Sequence, residues 1–309
     1  MDIKINIYGV RGSAPISHEN YMKFGGNTAS LTIRTLENSL IFLDAGTGLK
    51  LAETQLDEIA DKVFLLISHT HADHIAGFGM SKLSKLNLQK GYEKKKLQII
   101  GPNEIRRSLS KYYDGDIIWP VKFDQSNEQM KTMNGIDYEN IIEFSEDNQE
   151  IQIDSKTKIT LMQGNHPVKH GVVLFKIEMQ DLGNIVKIVY ATDNEFDHIF
   201  NGVVNLEKDK FKSKYIKFVQ TADILIAEAQ YQKGNYDSMR GFGHSYPEQV
   251  IELANKANVK RLIITHHNLM QDDELEIIYQ NAIDFAKKLN SNLIVEFAKE
   301  GTQIIFEEN

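Results

Sequence analysis

The run HTHADH at residues 69–74 brings three imidazoles and a carboxylate into six positions, directly after the apolar segment VFLLIS. His69 and His71 are two apart, so in extended backbone they point the same way, and Asp73 and His74 follow from the turn. Three protonated imidazoles at this spacing would repel one another, whereas neutral imidazole is a common metal ligand. The cluster therefore reads as part of a metal site. The chain has no cysteine, so any metal must be held by nitrogen and oxygen donors from His, Asp or Glu.

One such cluster cannot satisfy two metals, and further donors stand later in the chain: His166 in QGNHPVKHG, Asp193 in VYATDNE and His266 in LIITHHN. Singly, each has a plainer explanation. A histidine before proline is an ordinary loop residue, and an aspartate after a strand is often a helix cap. Together with HTHADH they form a candidate ligand set, with His267 the weaker member of its pair.

The elements that must position these residues are short aliphatic runs bounded by turn residues, at 3–10, 29–35, 39–44, 63–68 and 97–101 in the first half. The second half repeats the theme with KITLM, VVLFKIE, IVKIVYATD, DILIAE, RLIITH, LIVEFA and TQIIF. Helical periodicity appears over 46–62 and near 208–221, 247–258 and 272–289. Such alternation predicts an α/β protein. Asp44, Ser68 with His69, Asp193, Glu228 and His266 all stand at strand ends, which predicts that several strands deliver chemistry to one rim.

Nothing in the composition opposes folding throughout: 41% of residues are apolar, 25% are charged, and only five are proline. The start lacks a secretory pattern and no apolar run is long enough to span a bilayer, so the chain reads as cytoplasmic with no membrane partner. The formal net charge is −8, and residues 101–154 hold 12 acidic and 5 basic side chains. That surplus opposes a long nucleic acid, whose binding depends on Lys and Arg neutralising phosphates, but not a small phosphorylated substrate. The segment 102–156 is the least patterned and reads as an acidic insertion of helix and loops.

The residues His69, His71, Asp73 and His74 match the HxHxDH signature, and the chain resembles the metallo-β-lactamase fold superfamily over nearly its whole length. The resemblance implies one domain over 1–309, a four-layer αββα sandwich with the metal site at one rim of its two sheets. Motif order in the family implies that His69, His71 and His166 hold a first divalent metal and Asp73, His74 and His266 a second, zinc or manganese, with Asp193 bridging them. Asp44 matches the acidic position behind the metal loop that orients ligands, although a turn-forming aspartate explains it equally well. The segments GVRGSAP, GGNT (25–28) and LDAGTG (43–48) resemble those of phosphodiesterase-like members similar to ribonuclease Z, phosphoribosyl cyclic phosphate phosphodiesterases and anti-Pycsar cyclic nucleotide phosphodiesterases.

The motifs LIAEA and GHS resemble a pair in ribonuclease Z and its relatives, which implies that His244 gives a proton to the leaving oxygen and Glu228 orients it. The chemistry is consistent, because phosphodiester cleavage expels an alkoxide that needs a proton and imidazole titrates near neutral pH. Helix capping ahead of Tyr246 and Pro247 is the plainer role for His244. The implied reaction is in-line attack by a bridging hydroxide, with His244, Glu228 and Asp73 as the catalytic side chains. Arg11, Ser13, Asn27 and Thr28 in the glycine-bearing loops are candidate phosphate contacts, and Tyr231, Tyr236 or Phe242 in the loop 231–243 are candidates to stack on a base.

The expected activity is hydrolysis of a small nucleotide-like phosphodiester, cyclic ones included, and a homodimer is compatible with the sequence. Competing readings are hydrolysis of a non-phosphate ester, thioester or lactone, a tRNA-processing endoribonuclease, and a metal-binding signalling module without catalysis. The endoribonucleases of the family carry a basic, glycine-rich arm that this sequence lacks.

Overall fold

A computed structural model describes residues 3–57, 60, 62–88, 97–120, 122–123, 141–289 and 292–306 of the chain. Fourteen strands among these residues form two sheets. In chain order they are β1 (Ile3–Gly9), β2 (Ser30–Arg34), β3 (Leu40–Leu43), β4 (Val63–Leu66), β5 (Leu97–Gly101), β6 (Ile141–Glu143), β7 (Glu150–Gln152), β8 (Thr157–Gln163), β9 (Val173–Asp181), β10 (Asn184–Ala191), β11 (Ile224–Glu228), β12 (Arg261–Thr265), β13 (Ile294–Phe297) and β14 (Gln303–Phe306). The helices are α1 (Leu49–Ala52), α2 (Ala72–Ile75), α3 (Ile105–Tyr112), α4 (Lys208–Val219), α5 (Tyr236–Met239), α6 (Pro247–Lys256) and α7 (Asp272–Lys288).

The first sheet has the order β14-β1-β2-β3-β4-β5-β6 and the second β13-β12-β11-β10-β9-β8-β7. Each is antiparallel in one half and parallel in the other: β3 to β6 run parallel, as do β10 to β13. The parallel strands are apolar at nearly every position because both of their faces are covered. In β3, Ile41 and Leu43 face the interior between the sheets, while Leu40 and Phe42 face outward onto Leu49 and Ala52 of α1 and Ile105 and Leu109 of α3. In β11, Ile224 and Ile226 face the second sheet's inner side and Leu225 and Ala227 its outer side, against Phe211, Val250, Leu253 and Ala282 of α4, α6 and α7. Period-two side-chain alternation thus divides the apolar residues into three layers. The result is the expected αββα sandwich.

Local signals account for the helix limits. Gln271 and Glu274 make a reciprocal capping box at the start of α7, whose first turn is acidic and whose last carries Lys287 and Lys288. Proline occupies the first turn of α6, where its missing N–H costs nothing. The helix expected over 46–62 is shorter: α1 gives way to a 3-10 turn at Glu53–Asp57. The segment 102–156 contributes α3 and two short edge strands, β6 on the first sheet and β7 on the second, where helix and loops were expected. Residues 124–140 of it lie outside the described residues. No described helix is long and apolar enough to cross a membrane.

Arg11 fastens the N-terminal loop to α7. Its side chain is fully buried, and all five guanidinium donors are used: Nε to Gly25 O (2.7 Å), Nη1 to the carbonyls of Asn268 and Met270 (3.0 Å each), and Nη2 to Tyr21 O (3.0 Å) and Asp272 (3.2 Å). Replacement by methionine leaves a buried carboxylate and four carbonyls without their cation, so Arg11→Met is expected to lose about 3–5 kcal/mol of stability. Urea unfolding measures it. A loss under about 1 kcal/mol would mean that these acceptors find other partners.

Candidate metal and catalytic site

Five strand ends and one short helix deliver the cluster. Ser68, His69 and His71 follow β4, Asp73 and His74 sit on α2, His166 follows β8, Asp193 follows β10, Glu228 ends β11 and His266 follows β12. Asp44, Asp193 and His266 adopt left-handed backbone conformations, with φ of 57°, 49° and 59°. Such φ values cost roughly 1–3 kcal/mol each in non-glycine residues and persist where surrounding contacts hold them. Here they turn each chain over the rim at the point where its side chain joins the cluster.

Three imidazole nitrogens converge first. His71 Nδ1 lies 3.0 Å from His69 Nε2 and 3.1 Å from His166 Nε2. The other ring nitrogens fix the tautomers: His166 Nδ1 donates to Gly243 O (2.9 Å) and His69 Nδ1 to Ser68 Oγ (3.1 Å). Both Nε2 atoms therefore present lone pairs, and a proton on His71 could serve only one of them. A cation serves all three, since donors about 2.0–2.1 Å from a tetrahedral ion stand roughly 3.3 Å apart.

The second trio is as close. His266 Nε2 lies 3.2 Å from His74 Nε2 and 3.1 Å from Asp73 Oδ2, and His74 Nε2 lies 3.3 Å from Asp73 Oδ2. Asp193 stands between the trios. Its Oδ2 is 3.6 and 3.7 Å from His69 and His166, and its Oδ1 is 3.5 and 3.3 Å from His74 and His266. Each carboxylate oxygen thus faces one trio.

The electrostatics suit a cation. Burial, reinforced by the neighbouring imidazoles, holds His69 well below the usual imidazole range, burial pushes His166 down to about 3, and burial lowers His71. These three imidazoles are neutral and free to act as ligands. Burial would raise Asp193, but the imidazoles of His266, His74 and His69 outweigh it and keep the carboxylate ionised. Burial would likewise lower His74, yet Asp73, Asp193 and Asp44 raise it well above its usual value, so three carboxylates around it call for positive charge. No Lys or Arg is among the described residues lining the adjoining cavity of about 360 Å³.

Asp44 and Glu228 organise this rim from behind. Asp44 Oδ1 accepts from Ser68 N (2.7 Å), and its Oδ2 accepts from Ser68 Oγ (2.8 Å), His74 Nδ1 (2.8 Å) and Tyr190 Oη (2.7 Å). Glu228 accepts from the backbone N–H groups of Ser245 (2.8 Å), Gln230 (3.0 Å) and Asn194 (3.3 Å). Its Oε2 is 3.6 Å from His244 Nδ1, an ion-pair separation beyond hydrogen-bond reach. Burial opposes the imidazolium form of His244, but Glu228 and Asp193 outweigh it and raise its pKa. The His244 ring stacks on His266 with centroids 5.2 Å apart and meets Tyr231 edge-on at 5.3 Å. Tyr246 is the N-cap of α6, so His244 does not cap that helix.

The expected phosphate contacts divide. Ser13 lines the cavity and its N–H donates to Asp73 Oδ2 (2.8 Å). Arg11, Asn27 and Thr28, expected beside it, are not among the residues lining it. Arg11 is spent on carbonyls and Asp272, Asn27 is held by Glu300, and the Thr28 hydroxyl accepts from Thr47 N (2.9 Å). Those glycine-bearing loops serve turns and close approach: a Cβ on Gly12 would fall 2.4 Å from His266 Nδ1. Tyr231 and Phe242 line the cavity, but Tyr236 does not, because its hydroxyl is bound to Glu195. His267 donates to Ala298 O (2.7 Å) and stacks on Phe297, away from the ligand cluster. Sequence reasoning named Ser68 at a strand end but missed Tyr190 and Glu195. Only Glu195, a charged residue two positions beyond Asp193, carried a signal.

Asp44→Asn keeps the shape but cannot accept from all four donors. It is expected to weaken metal affinity by about 10–100-fold, as loss of a ligand-orienting partner does. Competition against a chromophoric chelator reads this, and unchanged affinity would confine Asp44 to turn formation.

Comparison with known proteins agrees with this geometry. The family described as "Beta-lactamase superfamily domain" matches residues 40–267. Ribonuclease Z from Staphylococcus aureus is 23% identical over 96% of this chain and 98% of its own. Among solved structures, unliganded yeast PDE1 superimposes with a TM-score of 0.67 at 16% identity, over 99% of each chain. The short form of human tRNase Z does so with a TM-score of 0.61 at 18% identity, over 97% of this chain and 98% of that one.

Proposed function

The chain belongs to the beta-lactamase superfamily domain family, and on that premise we propose that it is a dinuclear metal-dependent phosphodiesterase acting on a small nucleotide-like phosphodiester, cyclic ones included. The observation that carries this reading is His244, which overhangs the ligand cluster with the Glu228 carboxylate behind it and the open cavity before it. Thioester hydrolysis, which expels a weakly basic thiolate, has less need of such a group, whereas an alkoxide leaving from phosphorus needs a proton.

Residues His69, His71 and His166 would hold one divalent cation and Asp73, His74 and His266 the other, with Asp193 between. Zinc and manganese suit such donors, and the pair would supply an activated water and charge to stabilise both oxygens of an in-line displacement. The chain's own part is to hold the neutral imidazoles of His69, His71 and His166 toward the cluster, to line the cavity without Lys or Arg among the described residues, and to keep a proton on His244. Glu228 favours that proton electrostatically, and its three backbone hydrogen bonds fix the loop on which His244 stands.

The match to Staphylococcus aureus ribonuclease Z over 96% of the chain favours a second reading, a tRNA-processing endoribonuclease using the same side chains. Against it stand the acidic surplus at 101–154 and the lack of Lys or Arg among the described residues lining the cavity. Precursor tRNA assayed at physiological salt beside small diesters decides between them.

Two measurements test the leading reading. Elemental analysis of purified protein is expected to find about two transition-metal ions per chain, with Asp193→Ala losing metal. Full occupancy in that variant would remove Asp193 from the site.

His244→Ala is expected to retain its metals but to lose on the order of 10²–10⁴-fold in rate on an alkyl or cyclic phosphodiester. The loss should shrink with a p-nitrophenolate leaving group, which departs without a proton. Equal losses for both leaving groups would assign His244 to substrate binding, and loss of metal would assign it to coordination.

A further inference from the structure

Glu195 is a buried carboxylate that the hydrolytic chemistry does not use. It is fully inaccessible and accepts from the Tyr236 hydroxyl (2.7 Å), the Gly241 N–H (2.8 and 3.1 Å to its two oxygens) and the Gly243 N–H (2.8 Å). All of these donors are neutral and all come from the loop 231–243. A buried anion is costly unless its hydrogen bonds are made, so this carboxylate holds the loop only as long as the loop supplies those donors.

The residue between the two pinned glycines is Phe242. Gly241 and Gly243 take φ of 90° and 95°, a region that side-chain-bearing residues rarely adopt, and Phe242 rides on the tight turn between them. The residue is 61% exposed and lines the cavity over the ligand cluster. A single exposed phenylalanine needs no explanation by itself. This one is different because its backbone is nailed on both sides to a buried carboxylate. The register with the metal site is also fixed, since the carbonyl of Gly243 accepts from His166 Nδ1 (2.9 Å), and a Cβ on Gly243 would strike that imidazole at 2.3 Å. Tyr231 supplies a second aromatic lining, and no Lys or Arg is among the described residues lining the cavity, so a second phosphate finds no counter-charge there.

We infer that Phe242 is the stacking platform for a planar ring, a nucleobase, attached through its sugar to the phosphate at the ligand cluster, and that Glu195 is the positioning residue that presents it. The inference rests on the phosphodiesterase reading above and narrows it to monophosphate esters bearing a base. A long polyanion or a pyrophosphate is disfavoured by the same cavity.

The test is calorimetric titration of the metal-loaded protein with adenosine 5′-monophosphate and with ribose 5-phosphate, which share the phosphate and sugar and differ by the base. The wild type is expected to bind the nucleotide on the order of 10-fold more tightly, within the range that base–aromatic stacking supplies. Phe242→Ala should remove most of that preference while leaving ribose 5-phosphate affinity and melting temperature unchanged, and Phe242→Trp should retain it. Glu195→Gln places an amide that can donate against two backbone N–H groups, so it should lower the preference with ribose 5-phosphate binding intact. Equal affinity of the two ligands for the wild type, or an undiminished preference in Phe242→Ala, overturns the inference and leaves the phosphodiesterase reading standing. Failure of both ligands to bind overturns that reading and this inference together.

Discussion

Four hydrogen bonds on the Asp44 carboxylate tie the rim of this molecule together. The residue directly follows β3 of the first sheet, yet one of its donors, Tyr190, belongs to β10 of the second, and two come from Ser68 just beyond β4. The fourth is His74, whose other nitrogen faces Asp73, Asp193 and His266. The carboxylate also reaches His69 through the Ser68 hydroxyl, which receives the His69 Nδ1–H and passes its own hydrogen to Asp44. In this low-dielectric position each bond orients the next, so one side chain links the rims of the two sheets and fixes the tautomers of His69 and His74.

The other constraint is charge. Asp44, Asp73, Asp193 and Glu228 are all buried at one rim, and Arg11, the one buried arginine among the described residues, is consumed in holding the N-terminal loop to α7. The site is therefore left with carboxylates and imidazoles alone, which is the donor set of a hard or borderline divalent cation. The same lack of basic side chains shapes what can enter the cavity, because recognition there must come from the cluster itself and from the aromatic walls.

Much of the fold and the site is legible in local pattern. The strands and the helices α4, α6 and α7 follow from period-two and period-3.6 apolar spacing, and the three apolar layers are that alternation read across two sheets. His69, His71, Asp73 and His74 are visible as a run, and His166, Asp193 and His266 as polar residues closing apolar strands. Less legible are the edge strands β6 and β7, three residues each, too short for a periodic signal. Phosphate contacts at Arg11, Asn27 and Thr28 were expected because glycine-rich loops with polar side chains suit anions, but such loops equally suit close packing.

By itself, then, the sequence determined the residue types available for chemistry, the order in which strands present them, and the exclusion of thiolate ligands. Tertiary structure alone decided which of them meet. It spent every donor of Arg11 on carbonyls 10 to 259 residues away in the chain and on Asp272. It also turned Tyr236 inward to Glu195 and Phe242 outward to the cavity, although both lie in one aromatic-bearing loop. Hydrogen-bond partners so distant in sequence leave no periodicity to read, because the requirement that a buried polar group be satisfied is met in space and not along the chain.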